Sequence, residues 1–234
     1  MEMSIIIPTY NEAANLCILL PYLADLCADK KITIAVADSP LSDDDAGRVC
    51  SRYEMVDYMR CPGFGRAKQM NYGAFKSRGD VLLFLHADVR PPFDYCEQVF
   101  RAISGGYKMG FFAYRFDRER WLLRVNSHFT TRDGFFAGGG DQCQFFSREV
   151  FESLGGYDEQ YCIMEDFHMI DRIRKAQIPY TVIPSKALVS ARKYEAHSWL
   201  KVNLINLYVF LRYKWGTPPD HLRQMYRSLL REGV

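Results

Sequence analysis

The chain has no cysteine pair at C-x-x-C spacing. Its seven cysteines, at 17, 27, 50, 61, 96, 143 and 162, form an odd and irregular set, which excludes a disulfide framework and a local zinc site and points to a reduced, cytoplasmic chain. Long apolar runs are also missing. The longest window, Leu200 to Leu211, is interrupted by Lys201, Asn203 and Asn206 and is too short to span a bilayer. Met1-Glu2-Met3-Ser4 carries no basic stretch ahead of the first strand, so no secretory signal is expected. Charge of one sign is scarce: 30 Lys and Arg against 28 Asp and Glu leave +2, which removes the case for a nucleic-acid partner. There is no internal repeat or low-complexity segment, and no Walker loop. Pro8-Thr9-Tyr10 fills the turn where a G-x-G-x-x-G fingerprint would stand, which argues against a dehydrogenase.

The 234 residues, 48% of them hydrophobic, suffice for one substantial core with an appendage. Val81-Leu82-Leu83-Phe84-Leu85 ends abruptly in His86-Ala87-Asp88 and is followed by Pro91-Pro92. A short apolar run bounded in this way reads as a strand buried on both faces of a parallel sheet. Asp88 then lies at the carboxyl end of the strand, the edge where open α/β sheets bind ligands. There it suits a hard cation or a ribose hydroxyl, unless it is only a turn former.

Strands and helices alternate. Ile5-Ile6-Ile7 is a strand stopped by Pro8, and Leu16, Leu19, Leu20 and Leu23 recur at helical spacing after Asn11-Glu12. Ile32 to Ala37 is a strand ending in Asp38, Met55 to Met59 a short one, and Ala67 to Ser77 a helix fed by Gly63-Phe64-Gly65-Arg66. Further on, the pattern predicts a helix at Tyr95 to Ile103, strands at Met109 to Phe116 and Gln144 to Phe146, a helix from Glu165 to Lys175, a strand from Tyr180 to Pro184, and a mostly helical tail. From Lys186 onward nine cations face three acidic residues, so the tail is the basic end.

Several constellations carry chemistry. Glu165-Asp166 stand in the first turn of a helix whose stripe is Met164, Phe167, Ile170 and Ile173. They either satisfy the helix dipole or supply a general base. Gly63 to Asn71 places two glycines, Arg66 and Lys68 around a helix start, a geometry that favours phosphate, although a solvated cation pair fits too. Gly138-Gly139-Gly140 before Asp141-Gln142 allows close backbone approach to a ligand, or is a plain flexible turn. His197 reads as an isolated surface histidine in preference to an extra Mn²⁺ ligand. In the tail, Trp199, Leu200, Leu204, Leu207, Tyr208, Leu211 and Trp215, flanked by Lys201, Arg212 and Lys214, suit an anionic membrane, a core contact or a homodimer equally.

Ser4 to Glu12, the strand ending at Asp38, Gly65 to Gly73, Leu85-His86-Ala87-Asp88 and Met164-Glu165-Asp166 together resemble the ordered motifs of family 2 glycosyltransferases, over residues 4 to 193. Gly140-Asp141-Gln142 and Ser190 to Glu195 are similar to the short bacterial subgroup associated with radical-SAM and selenium-domain proteins. The resemblance implies an α/β, GT-A fold: a single Rossmann-like, mostly parallel sheet flanked by helices, with a C-terminal helical tail. It divides the chain into a catalytic domain, 1–193, and a basic amphipathic tail, 194–234. It implies an inverting transfer from a nucleoside-diphosphate sugar, a UDP-sugar favoured, to the hydroxyl of an unknown acceptor, with Mn²⁺ or Mg²⁺. By the same resemblance Pro8, Tyr10 and Glu12 line the nucleoside pocket, Asp38 reads the base edge, and Arg66, Lys68 and His86 approach the nucleotide. Asp88 holds the metal, Gly140, Asp141 and Gln142 meet donor sugar or acceptor, and Asp166, with Glu165 beside it, is the base. Two departures stand out: His86 replaces the first carboxylate of the usual Asp-x-Asp, and Ser39-Pro40-Leu41-Ser42 replaces a glycine-serine-threonine turn. A nucleotidyltransferase and a non-catalytic nucleotide-sugar binding module are the competing readings, and the expected location is cytoplasmic, with peripheral contact at the inner face of the membrane left open.

Overall fold

The computed structural model describes residues 1–27, 30–118, 121–134 and 137–230. Apolar runs become strands and the stretches between them helices: β1 (Met3–Thr9), α1 (Ala13–Cys27), β2 (Ile32–Asp38), α2 (Ala46–Cys50), β3 (Val56–Arg60), α3 (Arg66–Lys76) and β4 (Val81–Phe84). Next come β5 (Val89–Arg90), α4 (Tyr95–Ser104), β6 (Met109–Phe116), α5 (Trp121–His128), β7 (Phe145–Ser147) and α6 (Arg148–Ser153). The chain continues through α7 (Glu165–Lys175), β8 (Tyr180–Val189), α8 (Arg192–Ala196), α9 (Trp199–Lys214) and α10 (Pro219–Leu230). One eight-stranded sheet forms in the order β3-β2-β1-β4-β7-β6-β8-β5. The first four of these are mutually parallel, while β7 runs antiparallel to both β4 and β6.

Successive residues of the central strands face opposite layers, which is why their sequences are continuously apolar. Ile5, Ile7, Leu83 and Leu85 pack with α1, α2 and α4, whereas Ile6, Leu82 and Phe84 pack with α3, α6 and α7. A third cluster joins Ile205, Val209, Phe210, Tyr213, Leu222 and Leu230 of the tail to Ile163, Met164 and Phe167. Asp171 of α7 fastens the tail further, accepting bonds from Tyr213 Oη and Lys214 Nζ, both at 2.7 Å. Of the expected 194–234 segment, residues 231–234 lie outside the described residues.

The strand expected to stop at Pro184 runs on to Val189. Phe112 pairs with Ile183 and Ala113 with Lys186, so Pro184 and Ser185 lie in an irregularity of the β6–β8 ladder. A bulge tolerates a residue without an N–H, and the strand resumes beyond it. The helix Trp121–His128 and the short strand Val89–Arg90 carry weak sequence signals and were not expected.

Candidate functional site

The chain leaves β1 toward β2 on one side, while β4 lies on the other. Their carboxyl ends therefore flank a topological switch point, the crevice where open α/β sheets receive ligands. A cavity of about 700 Å³ opens there, with Pro8, Thr9, Tyr10 and Glu12 from the β1 end and His86, Ala87 and Asp88 from the β4 end. Tyr10 is 56% exposed at its wall. Gln69 ties the edge together, its Nε2 donating to the carbonyls of Thr9 (2.6 Å) and Ala37 (2.9 Å).

Gly65 precedes α3 with φ +118°, a conformation disfavoured for side-chain-bearing residues, and so delivers Arg66 to the first helical turn. Arg66 lies over the acidic pair that opens α7: its Nε is 3.2 Å from Glu165 Oε1 and its Nη1 is 4.0 Å from Asp166 Oδ2. Met164, with φ +66°, turns the chain so that both carboxylates enter the protein. Glu165 is fully buried, and neither of its oxygens receives a well-formed hydrogen bond among the described residues. Burial, then the neighbouring Glu165 charge, pushes Asp166 up to about 7 against the opposing effects of His86 and Arg66.

Gly140 forms a partition one backbone thick, packed against both Asp166 and the His86 ring. A Cβ at this position would collide with Asp166 Oδ2 and the His86 ring, so only glycine lets the backbone pass between them. Asp141, whose side chain is 51% exposed, stands 3.6 Å from His86 Nδ1. Burial and Arg66 oppose charge on His86, but the bond to Asp141 and the field of Asp166 outweigh them and raise its pKa. Across the cavity, Arg192 Nη2 bridges Glu12 Oε1 (2.8 Å) and Asp88 Oδ2 (3.4 Å). Burial, opposed by His86 and Arg192 and aided by Asp141 and Glu12, raises the Asp88 pKa.

Thus Pro8, Tyr10, Glu12, Arg66, His86, Asp88 and Asp141 share one cavity. Glu165 and Asp166 lie a layer beneath its surface. Four other expected residues do not line it. Asp38 is only 1% exposed and accepts bonds from Thr9 Oγ1, Ser42 Oγ and Tyr58 Oη, so Ser39 and Leu41 form the wall there. Lys68 is exposed outside the cavity. Gln142 is buried, donating to the Phe112 carbonyl and accepting from the Gly138 N–H. Gly140 forms the partition just described. The sequence reading missed Gln69, Arg223, Tyr226 and Arg227, all of which line the cavity. The last three come from α10, so the cavity is built from both sides of the expected boundary at 193.

Among the described residues, no three His, Cys, Asp or Glu side chains are grouped to hold a metal. Asp88 nevertheless offers a hard oxygen to the cavity and already attracts a cationic group, which fits a Mg²⁺-like ion bound by few carboxylates and completed by water and phosphate oxygens.

The mostly parallel sheet flanked by helices, with its switch-point cavity, is the GT-A class of fold, as superposition on glycosyltransferases of that class shows. The comparisons agree. The chain superposes on a mannosyltransferase, PcManGT, from Pyrobaculum calidifontis in complex with GDP-Man and Mn²⁺, with a TM-score of 0.71 and 17% identity, covering 98% of this chain and 68% of that one. S. aureus TarS in complex with UDP-GlcNAc gives a TM-score of 0.63 at 14% identity, covering 98% and 72%. A dolichol-phosphate mannosyltransferase of Pyrococcus furiosus is 28% identical over 109 residues, 45% of this chain and 31% of that protein, so the match spans under a third of the relative's length. Residues 4–155 match the family described as Glycosyl transferase family 2, and the chain belongs to that family.

Proposed function

We propose that the protein is an inverting, metal-dependent glycosyltransferase that moves a sugar from a nucleoside-diphosphate sugar to an acceptor hydroxyl. One observation carries this reading: Asp88 lines the switch-point cavity, and the buried Glu165-Asp166 pair lies directly behind its wall, in contact with Arg66 of the lining, with Asp166 poised near neutral pH. Tyr10 offers its ring to the nucleobase, Glu12 lies beside it, and Asp88 faces the diphosphate. A divalent ion bound there would neutralise the charge that develops on the leaving nucleoside diphosphate. Arg66 lines the cavity beside the acidic pair, where its positive charge also favours the donor's phosphates. Asp166 then takes the acceptor proton as that oxygen attacks the anomeric carbon from the face opposite the leaving group, which inverts the configuration. Asp141, exposed beside His86, meets the sugar. Asp38 acts on the base through Ser39 and the turn that it holds.

Gly140-Asp141-Gln142 and Ser190 to Glu195 support the short bacterial subgroup, and a UDP-sugar, the class of donor bound by the TarS neighbour, is the favoured donor beside the GDP-sugar of the mannosyltransferase neighbour. The outward face of α9 supports contact with an anionic lipid surface, because Leu200, Leu204, Tyr208 and Trp215 are between 46% and 73% exposed and Lys201 stands at their rim. No helix among the described residues is long and apolar enough to cross a membrane.

The test is a thermal-shift and turnover screen of UDP- and GDP-sugars with Mn²⁺, Mg²⁺ or EDTA, on wild type, Asp88→Ala and Asp166→Asn. The expected result is metal-dependent stabilisation by one nucleotide class, lost in Asp88→Ala, and slow donor hydrolysis, lost in Asp166→Asn. Release of pyrophosphate, or donor binding with no turnover sensitive to Asp166, refutes the proposal.

A further inference from the structure

Arg192 reaches the cavity from a backbone fixed close to Asp88. Val89 pairs with Val189 across the antiparallel β5–β8 contact, and the Ser190 N–H donates to the Asp88 carbonyl at 3.2 Å. Asp117 Oδ1 accepts the Ala191 N–H at 2.9 Å. The side chain itself is held by charged partners, through hydrogen bonds and an ion pair. It makes a two-pronged contact with Glu12, Nη2 to Oε1 at 2.8 Å and Nη1 to Oε2 at 3.5 Å, and Nη2 also lies 3.4 Å from Asp88 Oδ2.

The arrangement puts one positive charge between two carboxylates, at the position from which a cation would address Asp88. The Arg192 side chain remains 56% exposed, and ion pairs this open to water are weak and easily exchanged. A divalent ion entering at Asp88 meets a guanidinium of like sign and must displace it. Once displaced, Arg192 has lost its Asp88 partner inside a cavity able to receive an anion. A diphosphate supplies that anion and draws Arg192 off Asp88 at the moment when its own oxygens complete the shell of the ion.

We infer that Arg192 is a tethered counter-cation: it holds the cation position at Asp88 in the empty protein and yields it when a nucleoside diphosphate enters, so that metal and nucleotide bind interdependently. This inference rests on the reading of Asp88 as the metal-facing carboxylate. Arg192 is thus a positioning residue that sets the order of loading and keeps the nucleotide-free protein from retaining metal. Coupling of this kind is reciprocal: whatever nucleotide does for metal affinity, metal does for nucleotide affinity.

Free Mn²⁺ is titrated by electron paramagnetic resonance into the nucleotide-free protein, comparing wild type, Arg192→Met, Arg192→Lys, Asp88→Asn and the Arg192→Met/Asp88→Asn double variant. Melting midpoints verify that each is folded. Removal of the charge is expected to tighten Mn²⁺ binding by about tenfold, inside the range of roughly 5- to 150-fold usual for coupled sites. Arg192→Lys, which keeps the charge, stays close to wild type, and the double variant loses the gain. Titrations of UDP and GDP with and without saturating Mn²⁺ should show a metal dependence that is smaller in Arg192→Met than in wild type. If Arg192→Met binds Mn²⁺ no tighter than wild type while Asp88→Asn weakens binding, the counter-cation role is overturned and the metal reading of Asp88 stands. If Mn²⁺ binding ignores Asp88 in every background, the metal reading itself fails.

Discussion

Replacing Asp166 by asparagine should remove turnover and stabilise the fold, and the gain should depend on pH. The carboxyl moves from an ordinary value of 3.8 to about 7 on folding, so between these values the native protein binds a proton that the unfolded chain has released. Stability therefore falls as pH rises through that window, and the full penalty is present above about pH 7. Three units at about 1.4 kcal/mol each set a ceiling of about 4 kcal/mol. That value already includes the attraction to Arg66, 4.0 Å away. Relaxation around a buried charge and its sharing of the proton with Glu165 lower what is observed, so about 2 kcal/mol, roughly half of the ceiling, is expected at pH 8. For a chain of this size that corresponds to roughly 4–8 °C in Tm. Urea denaturation of wild type and Asp166→Asn at pH 4.5, 6 and 8 is the assay, because titrating groups remote from Asp166 cancel in the difference, leaving Asp166 and the Glu165 and His86 groups that it couples to. A gain that grows with pH supports the assignment of a buried, proton-hungry base. A loss of stability at pH 8, or a difference independent of pH, refutes it.

Other outcomes follow from the same geometry. Turnover should rise with pH through about 7 as Asp166 loses its proton, and a pH–kcat/KM profile that is flat from 6 to 8 contradicts its role as base. Gly140→Ala should lower kcat by at least about 100-fold, because the added methyl meets both His86 and Asp166, while an overpacked site of this sort costs only about 1–3 kcal/mol of fold stability. Tyr10→Ala should weaken nucleotide binding by about 1–3 kcal/mol, the usual worth of a base on an aromatic ring, with Tm unchanged; calorimetry of UDP and GDP decides. Leu204→Ser with Trp215→Ser should abolish sedimentation with phosphatidylglycerol vesicles yet shift stability by under about 0.5 kcal/mol. If the variant instead turns a dimer into a monomer in ultracentrifugation, the exposed face is a contact between copies of the chain.

The sheet was legible because its central strands are buried on both faces. Ile5-Ile6-Ile7 and Val81 to Leu85 have no polar position to obscure their ends, and α7 spans Glu165–Lys175, the range expected from a stripe that runs from Met164 to Ile173. Pro184 misled because a proline ends a regular strand but sits comfortably in a bulge, and bulges leave no periodic trace. The faces of α9 were illegible for a related reason. Val202, Ile205, Val209 and Phe210 are buried on one side, while Leu200, Leu204 and Leu207 are exposed on the other, and a helix apolar all round gives a stripe no preferred direction. Motif order brought Asp88, Arg66 and Asp141 to one place. It could not reveal that Asp38 is already engaged by three hydroxyls, or that Arg223, Tyr226 and Arg227 would arrive from α10, since neither fact is written locally.

The cavity wall drawn from α10 has a further consequence. Tyr10 and Tyr226 face the same space from opposite ends of the described chain, and contacts at such sequence separation are paid for in loop entropy before they return any stabilisation. The helices that close the cavity rest mainly on a small third cluster shared with Ile163, Met164 and Phe167, while the sheet is held by two larger ones. A segment resting on fewer buried side chains than the sheet is expected to open locally at lower free energy than β1 or β4. Amide exchange in α10 should therefore be faster than in β1 or β4 and should slow when nucleotide binds, making backbone protection near Arg223 a gauge of occupancy that needs no knowledge of the acceptor.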